Sequence, residues 1–199
     1  MRMPSRAIVA PALVLTLALA AGGSPLAQAA TVVTPSQAAA PLRDDEAELL
    51  GLRLLNCTRT GGWVRADGTC KGRGTGTFSP YVRPLRLHEG LSAEVAFRWA
   101  GELVLADTCG HVLPGKPVLA TRLATAGFGG TPYGENVGCS WGGMATRDMV
   151  IATHRAMQAE KATHGGHWRN IKERSYRQVG IGVASLDGMT TIVYDFYGG

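Results

Sequence analysis

The chain of 199 residues is poor in charge and in aromatic rings: 18% of it is Asp, Glu, Lys or Arg, and 7% is Phe, Trp or Tyr. Low charge beside 45% hydrophobic residues excludes a disordered chain. The 27 glycines follow no Gly-X-Y period, which excludes collagen. Lysine is scarce, 4 against 16 arginines, and no run of five like charges occurs, so there is neither a polybasic tail nor an aromatic-interleaved basic patch to bind nucleic acid. Four cysteines are present but no CxxC pair, which speaks against a zinc ribbon. An enzyme would be expected to show a signature such as an HExxH helix or a nucleophile elbow, and neither is read here. After residue 29 no apolar stretch is long enough to span a bilayer. What is left is one ordinary domain, large enough to bury a core without depending on disulfides.

The N-terminus carries an address. Arg2 and Arg6 precede an apolar run from Ala7 to Ala21, 15 residues long, and Ala27-Gln28-Ala29 offers a small-x-small cleavage site. Residues 1–29 therefore read as a secretory signal peptide and the mature chain as secreted and extracellular, with no transmembrane segment. Without Arg2 and Arg6 there are 18 basic and 15 acidic residues, a net charge of +3. Residues 30–42, small and punctuated by proline, read as a flexible lead-in to a domain over 43–199.

Within the domain, helices lead and strands close. Asp44-Asp45-Glu46 forms an acidic first turn ahead of Leu50 and Leu54, predicting a helix that Gly61-Gly62 ends. Asp67-Gly68 predicts a turn in the Gly-rich stretch from Cys57 to Gly76. Leu91, Val95, Trp99 and Leu103 predict a second helix from His88 to about Asp107, and Val118, Leu119, Leu123 and Ala126 a third, with Gly127 beyond its end. Gly129 to Gly143 is dense in glycine and is expected to be irregular. Thr146 is the expected N-cap of a fourth helix ending near Lys161. Alternation in Val179-Ile181-Val183 and Ile192-Tyr194-Phe196, around Asp187-Gly188, predicts a β-hairpin. With no βαβ alternation, the expected class is α+β, an antiparallel sheet covered by helices.

Two imidazoles and two carboxylates stand on segments that otherwise read as structural: His111 beside Cys109, Glu135 in Gly134-Glu135-Asn136, Glu160 at the fourth helix's end, and His167 after Gly165-Gly166. Their chemistry suits zinc or a similar divalent ion, but their spacing alone is a weak signal. In order, however, Gly110-His111, Gly134-Glu135-Asn136, Met157-Gln158-Ala159-Glu160, the run GHWRNI (Gly166 to Ile171) and VGIGVA (Val179 to Ala184) resemble the CAP superfamily of cysteine-rich secretory proteins, antigen 5 and pathogenesis-related proteins. The chain looks like a secreted bacterial member, over about Arg43 to Tyr197.

The resemblance implies an α-β-α sandwich, a small antiparallel sheet between helical layers, with His111, Glu135, Glu160 and His167 in an open cleft. The sequence departs from the family at Met157, where a tryptophan is usual. His164 is a rival ligand three residues before His167, and His154, mid-helix, reads as structural. The cysteines fit the same picture as Cys57 with Cys70 and Cys109 with Cys139, the second bond tying the His111 segment to the Glu135 loop; a Cys₄ zinc site is the alternative. The implied function is extracellular binding: Zn²⁺ or another divalent metal in the cleft, with a lipid, other small hydrophobic ligand or cell-envelope component as partner. The alternatives are a metal-assisted hydrolase using the same cleft and a structural module of the envelope.

Overall fold

The computed structural model describes residues 40–199, so the expected signal peptide and most of the lead-in lie outside the described residues. Helix α1 (Asp45–Arg59) starts as its acidic first turn predicts, with the Asp44 carboxylate accepting from the Ala47 N–H. A two-stranded ribbon, β2 (Trp63–Val64) and β3 (Cys70–Lys71), surrounds the Asp67-Gly68 turn. The second helix is continuous but changes pitch: α2 (Glu89–Leu91), a π-helical stretch over Ser92–Ala96, then α3 (Phe97–Leu105). Helices α4 (Leu119–Thr125), α5 (Thr146–Ala159) and α6 (Gly166–Lys172) follow, with a 3₁₀ turn over Glu160–Thr163 between the last two.

The main sheet joins β1 (Leu42–Arg43), β6 (Gln178–Leu186), β7 (Met189–Tyr197) and β5 (Tyr133–Ser140) in that order, all antiparallel. A short β4 (Arg86–Leu87) adds the one parallel pairing, to β6. The α-β-α sandwich expected from the motifs is present. One face, with Val179, Ile181, Val183, Ile192, Tyr194 and Phe196, packs against Leu50, Leu54 and Leu55 of α1, Met149 and Val150 of α5, and Ile171 of α6. The other face, with Val137, Ala184 and Val193, packs against Ala96, Trp99, Ala100 and Leu103.

Period-two alternation explains why VGIGVA reads as it does. Its large residues face α1, and its small ones leave room for the second helix to lie against the sheet backbone. A Cβ on Gly180 would stand 2.6 Å from the Leu91 carbonyl carbon, and one on Gly182 only 2.2 Å from the Phe97 nitrogen. The same approach satisfies the edge of β6 between its short partners, since the Ile181 N–H donates to Ser92 Oγ at 2.9 Å.

Two expectations are corrected. Gly129 to Gly143 is not irregular throughout: residues 133–140 form β5, paired with β7 along its whole length. Its glycines are there because neighbouring segments press on it, a Cβ on Gly138 falling 2.0 Å from Thr153 Cγ2 of α5 and one on Gly134 falling 2.4 Å from the hydroxyl of Tyr176, between α6 and β6. Thr146 is the first helical residue rather than the N-cap, a place held by Ala145 without a side-chain bond. His154 is structural, as read. It is fully buried with Nε2 2.8 Å from Thr58 Oγ1, whose hydrogen goes to Gln158 Oε1 at 3.0 Å. Nε2 therefore carries the imidazole hydrogen, and burial pushes the ring's pKa down to about 3.

Gly182→Ala is expected to destabilise the domain by about 1–3 kcal/mol through overpacking of backbone against backbone. Urea unfolding checks this, and Ala184→Ser on the same face serves as the control that should cost less.

Candidate functional site

The four motif residues come from the loop after α3, strand β5, the 3₁₀ turn and α6, and meet in one cleft of about 490 Å³, lined by His111, Glu135, Glu160, Thr163, Gly165, Gly166, His167 and Asn170. They form two imidazole–carboxylate pairs. His111 Nδ1 lies 2.8 Å from Glu135 Oε1, and His167 Nδ1 lies 2.6 Å from Glu160 Oε1. In each ring the bonded Nδ1 leaves Nε2 as the nitrogen available to a ligand.

Each pair is held by a different device. His111 follows Cys109, which is bonded to Cys139 of β5, so a disulfide fastens its segment to the strand that carries Glu135. The other bond joins Cys57 to Cys70, and no free cysteine remains to build a Cys₄ site. Glu160 opens the 3₁₀ turn and reaches back over the start of α6, accepting the His167 N–H at 3.0 Å on the oxygen its imidazole does not use. Only glycine fits beneath it: a Cβ on Gly165 would stand 2.4 Å from Glu160 Oε2. That contact explains the first glycine of the Gly-Gly-His run.

The pairs are joined through two amides. Asn170 Nδ2 donates to Glu135 O at 3.1 Å and to Asn136 Oδ1 at 2.8 Å, while Asn136 Nδ2 donates to His167 O at 3.1 Å. Met157, standing where the family usually has tryptophan, is buried with Sδ 3.7 Å from the Asn136 amide.

The hydrogen bond to Glu135 raises the His111 pKa above the ordinary imidazole value, against the opposing effect of burial and of the nearby Arg122 charge. For Glu160, burial acts upward but is outweighed by the hydrogen bond and charge of His167 and by the backbone N–H groups of Trp168 and His167, so its carboxyl lies below the usual value. His164 is exposed in a left-handed turn and is not among the residues lining the cleft.

Two further groups carry no motif signal. Arg122 donates to Glu135 Oε2 at 2.7 Å. Asp195 faces Glu135 directly across the β5–β7 ladder, fully buried, with neither carboxyl oxygen hydrogen-bonded. Burial first, and the Glu135 charge second, hold its pKa well above the usual carboxylate range against the pull of Arg122. Gly138-Cys139-Ser140-Trp141-Gly142 does fit the letters of GxSxG, contrary to the sequence reading. Yet Ser140 ends an edge strand opposite Thr190, its neighbour Cys139 is in a disulfide, and α5 begins only at Thr146, so the strand-to-helix elbow is missing.

Among the described residues, no group of three or more His, Cys, Asp or Glu is placed to hold a metal ion together. The two imidazole Nε2 atoms are the ring nitrogens that the carboxylates leave free.

No family model and no curated protein matches the chain. Solved structures do. It is similar to an extracellular protein containing an SCP domain from Bacillus anthracis str. Ames, at 16% identity and a TM-score of 0.54 over 77% of this chain and 41% of that one. It is also similar to NaASP2, crystallised with Zn²⁺, at 15% identity and a TM-score of 0.52 over 77% of this chain and 80% of that one. The chain spans less than half the length of the Bacillus protein. Its fold is that of the CAP, or SCP, domain.

A buried acid that stays protonated makes the folded state bind more protons than the unfolded chain once pH passes the ordinary Asp value of about 3.9. Asp195 therefore costs stability progressively as pH rises above about 4. Asp195→Asn is expected to be more stable than wild type at pH 7 and to lose this part of the decline. Urea midpoints at pH 4 and pH 7 test it, and an identical wild-type-to-variant difference at both would contradict it.

Proposed function

We propose that the chain is a secreted CAP-fold binding protein whose His111–Glu135 and Glu160–His167 pairs hold one divalent cation, zinc or a comparable ion, in the cleft. The observation that carries this reading is the presence of two imidazoles on one cleft, each with Nδ1 tied to a carboxylate. That arrangement fixes the tautomer and ring angle a metal-binding histidine needs and raises the basicity of the free nitrogen. When bound, the ion would supply a Lewis-acid centre with positions open for water or an outside ligand. The chain's own residues orient it: Glu135 and Glu160 hold the hydrogens on the two Nδ1 atoms, and the asparagine amides keep the pairs together.

The two disulfides suit an oxidising compartment, and among the described residues no helix is long and apolar enough to cross a membrane. A small hydrophobic ligand also has support. A hollow of about 470 Å³ lined by Trp63, Phe78, Ala159, Lys161 and Ala162 borders the same 159–163 turn that carries Glu160. The hydrolase alternative has less support. A general base needs a carboxylate free to take a proton, whereas Glu135 is engaged on both oxygens by His111 and Arg122, and Glu160 on both by His167.

Calorimetric titration of the purified protein with zinc is expected to give one site. His111→Ala and His167→Ala should each weaken it at least tenfold while the fold survives. Affinity should fall as pH drops, because the ion competes with protons for the same nitrogens. With the His111 pKa raised by Glu135, the fall begins above the ordinary imidazole value of about 6.5. Wild-type affinity in both variants would leave the four residues as a structural cluster and give the lead to an envelope-module role.

A further inference from the structure

We infer that Arg122, carried on the face of Trp99, is the positioning residue of the His111–Glu135 pair: it fixes the carboxylate so that His111 keeps its hydrogen on Nδ1 and leaves Nε2 bare. The geometry is a closed ring of contacts. His111 Nδ1 meets Glu135 Oε1 at 2.8 Å, Glu135 Oε2 meets Arg122 Nη2 at 2.7 Å, and the Arg122 guanidinium lies 3.9 Å from the centroid of the Trp99 ring. Trp99 Nε1 then donates to Gly110 O at 3.2 Å, the carbonyl next to His111. One indole thus holds both ends of the pair, its N–H the backbone before the imidazole and its face the cation that grips the carboxylate.

The side chain of Arg122 is 8% exposed, and among the described residues it is the only Lys or Arg in ion-pair reach of Glu135. Its Nε and Nη1 are buried without hydrogen-bond partners. A guanidinium serving only the fold would be expected to satisfy those donors, as Arg59 does with the backbone carbonyls of Arg83, Ile171, Glu173 and Tyr176. Arg122 instead gives them up to lie over an aromatic ring, and its one hydrogen bond among the described residues goes to Glu135. Among the described residues no matching cation touches Glu160, whose second oxygen takes a backbone N–H instead, so the two pairs differ in what orients them.

The inference deepens the metal reading but has a readout independent of it. Nitrogen-15 spectra of the imidazoles at about pH 9, above the ordinary imidazole value of about 6.5, report which nitrogen carries the hydrogen. In wild type both His111 and His167 are expected as the Nδ1–H form. In Arg122→Met, His111 should move toward the Nε2–H form while His167 stays unchanged, and zinc affinity should fall at least tenfold. Arg122→Lys, which keeps the charge beside Glu135, should hold His111 as in wild type. An unchanged His111 in Arg122→Met overturns the inference, as does an equal shift of both rings, which would mean general loosening. Should Arg122→Met not fold, Arg122→Lys decides: His111 retained as Nδ1–H upholds the role, and its loss refutes it. A wild type that binds no zinc at all removes the metal reading and leaves the spectra to judge Arg122.

Discussion

Two asparagine amides set the geometry on which the site depends. Strand β5 delivers Glu135, and α6 delivers His167; nothing in either element alone places the two at one cleft. The amides of Asn136 and Asn170 bond to each other and to the backbone of the opposite element, at Glu135 O and His167 O. Both groups are largely shielded from water, where an amide left unpaired is costly, so strand and helix have one favoured docking. Gly134 permits it, since a Cβ there would come within 3.0 Å of Asn170 Oδ1. The runs GEN and GHWRNI are thus one lock, written in two places.

Around that lock, the two imidazole–carboxylate pairs are built from opposite sides. The Glu160–His167 pair is local, a seven-residue loop-back over a short helix whose start the carboxylate caps. The His111–Glu135 pair is long-range and needs a disulfide, an arginine and a tryptophan to hold it. It also lies beside a buried carboxyl, Asp195, whose pKa burial raises well above the ordinary carboxylate range. That shift disfavours a second ionised carboxylate competing with Glu135 for Arg122.

The long helices, the hairpin and the four motif residues were legible in the sequence because each follows from a local signal: apolar spacing, a turn dipeptide, or an ordered set of short motifs. Strand β5 was not, because its glycines answer to Thr153 and Tyr176 on other elements and so look like loop residues in isolation. Helix α6 lacked a visible start for a similar reason, its cap being a glutamate six residues upstream of the first helical residue. Arg122 was indistinguishable from a surface arginine on a short helix, and Asp195 alternated along β7 as an outward polar residue would. The bond to Glu135 gives Arg122 its role, and the facing of Glu135 and Asp195 in the ladder gives Asp195 one. In the proposed reading the imidazoles hold the ion and the two carboxylates, each engaged by a histidine, orient the rings.

Zinc K-edge X-ray absorption on the metal-loaded protein separates ligation by the rings alone from ligation by the carboxylates. Two imidazole nitrogens are expected at about 2.0–2.1 Å, the remainder of the shell being water oxygen, with the same spectrum in Glu135→Gln at saturating zinc despite weaker binding. A shell that loses an oxygen in Glu135→Gln, or that holds a single imidazole, would contradict the proposed reading.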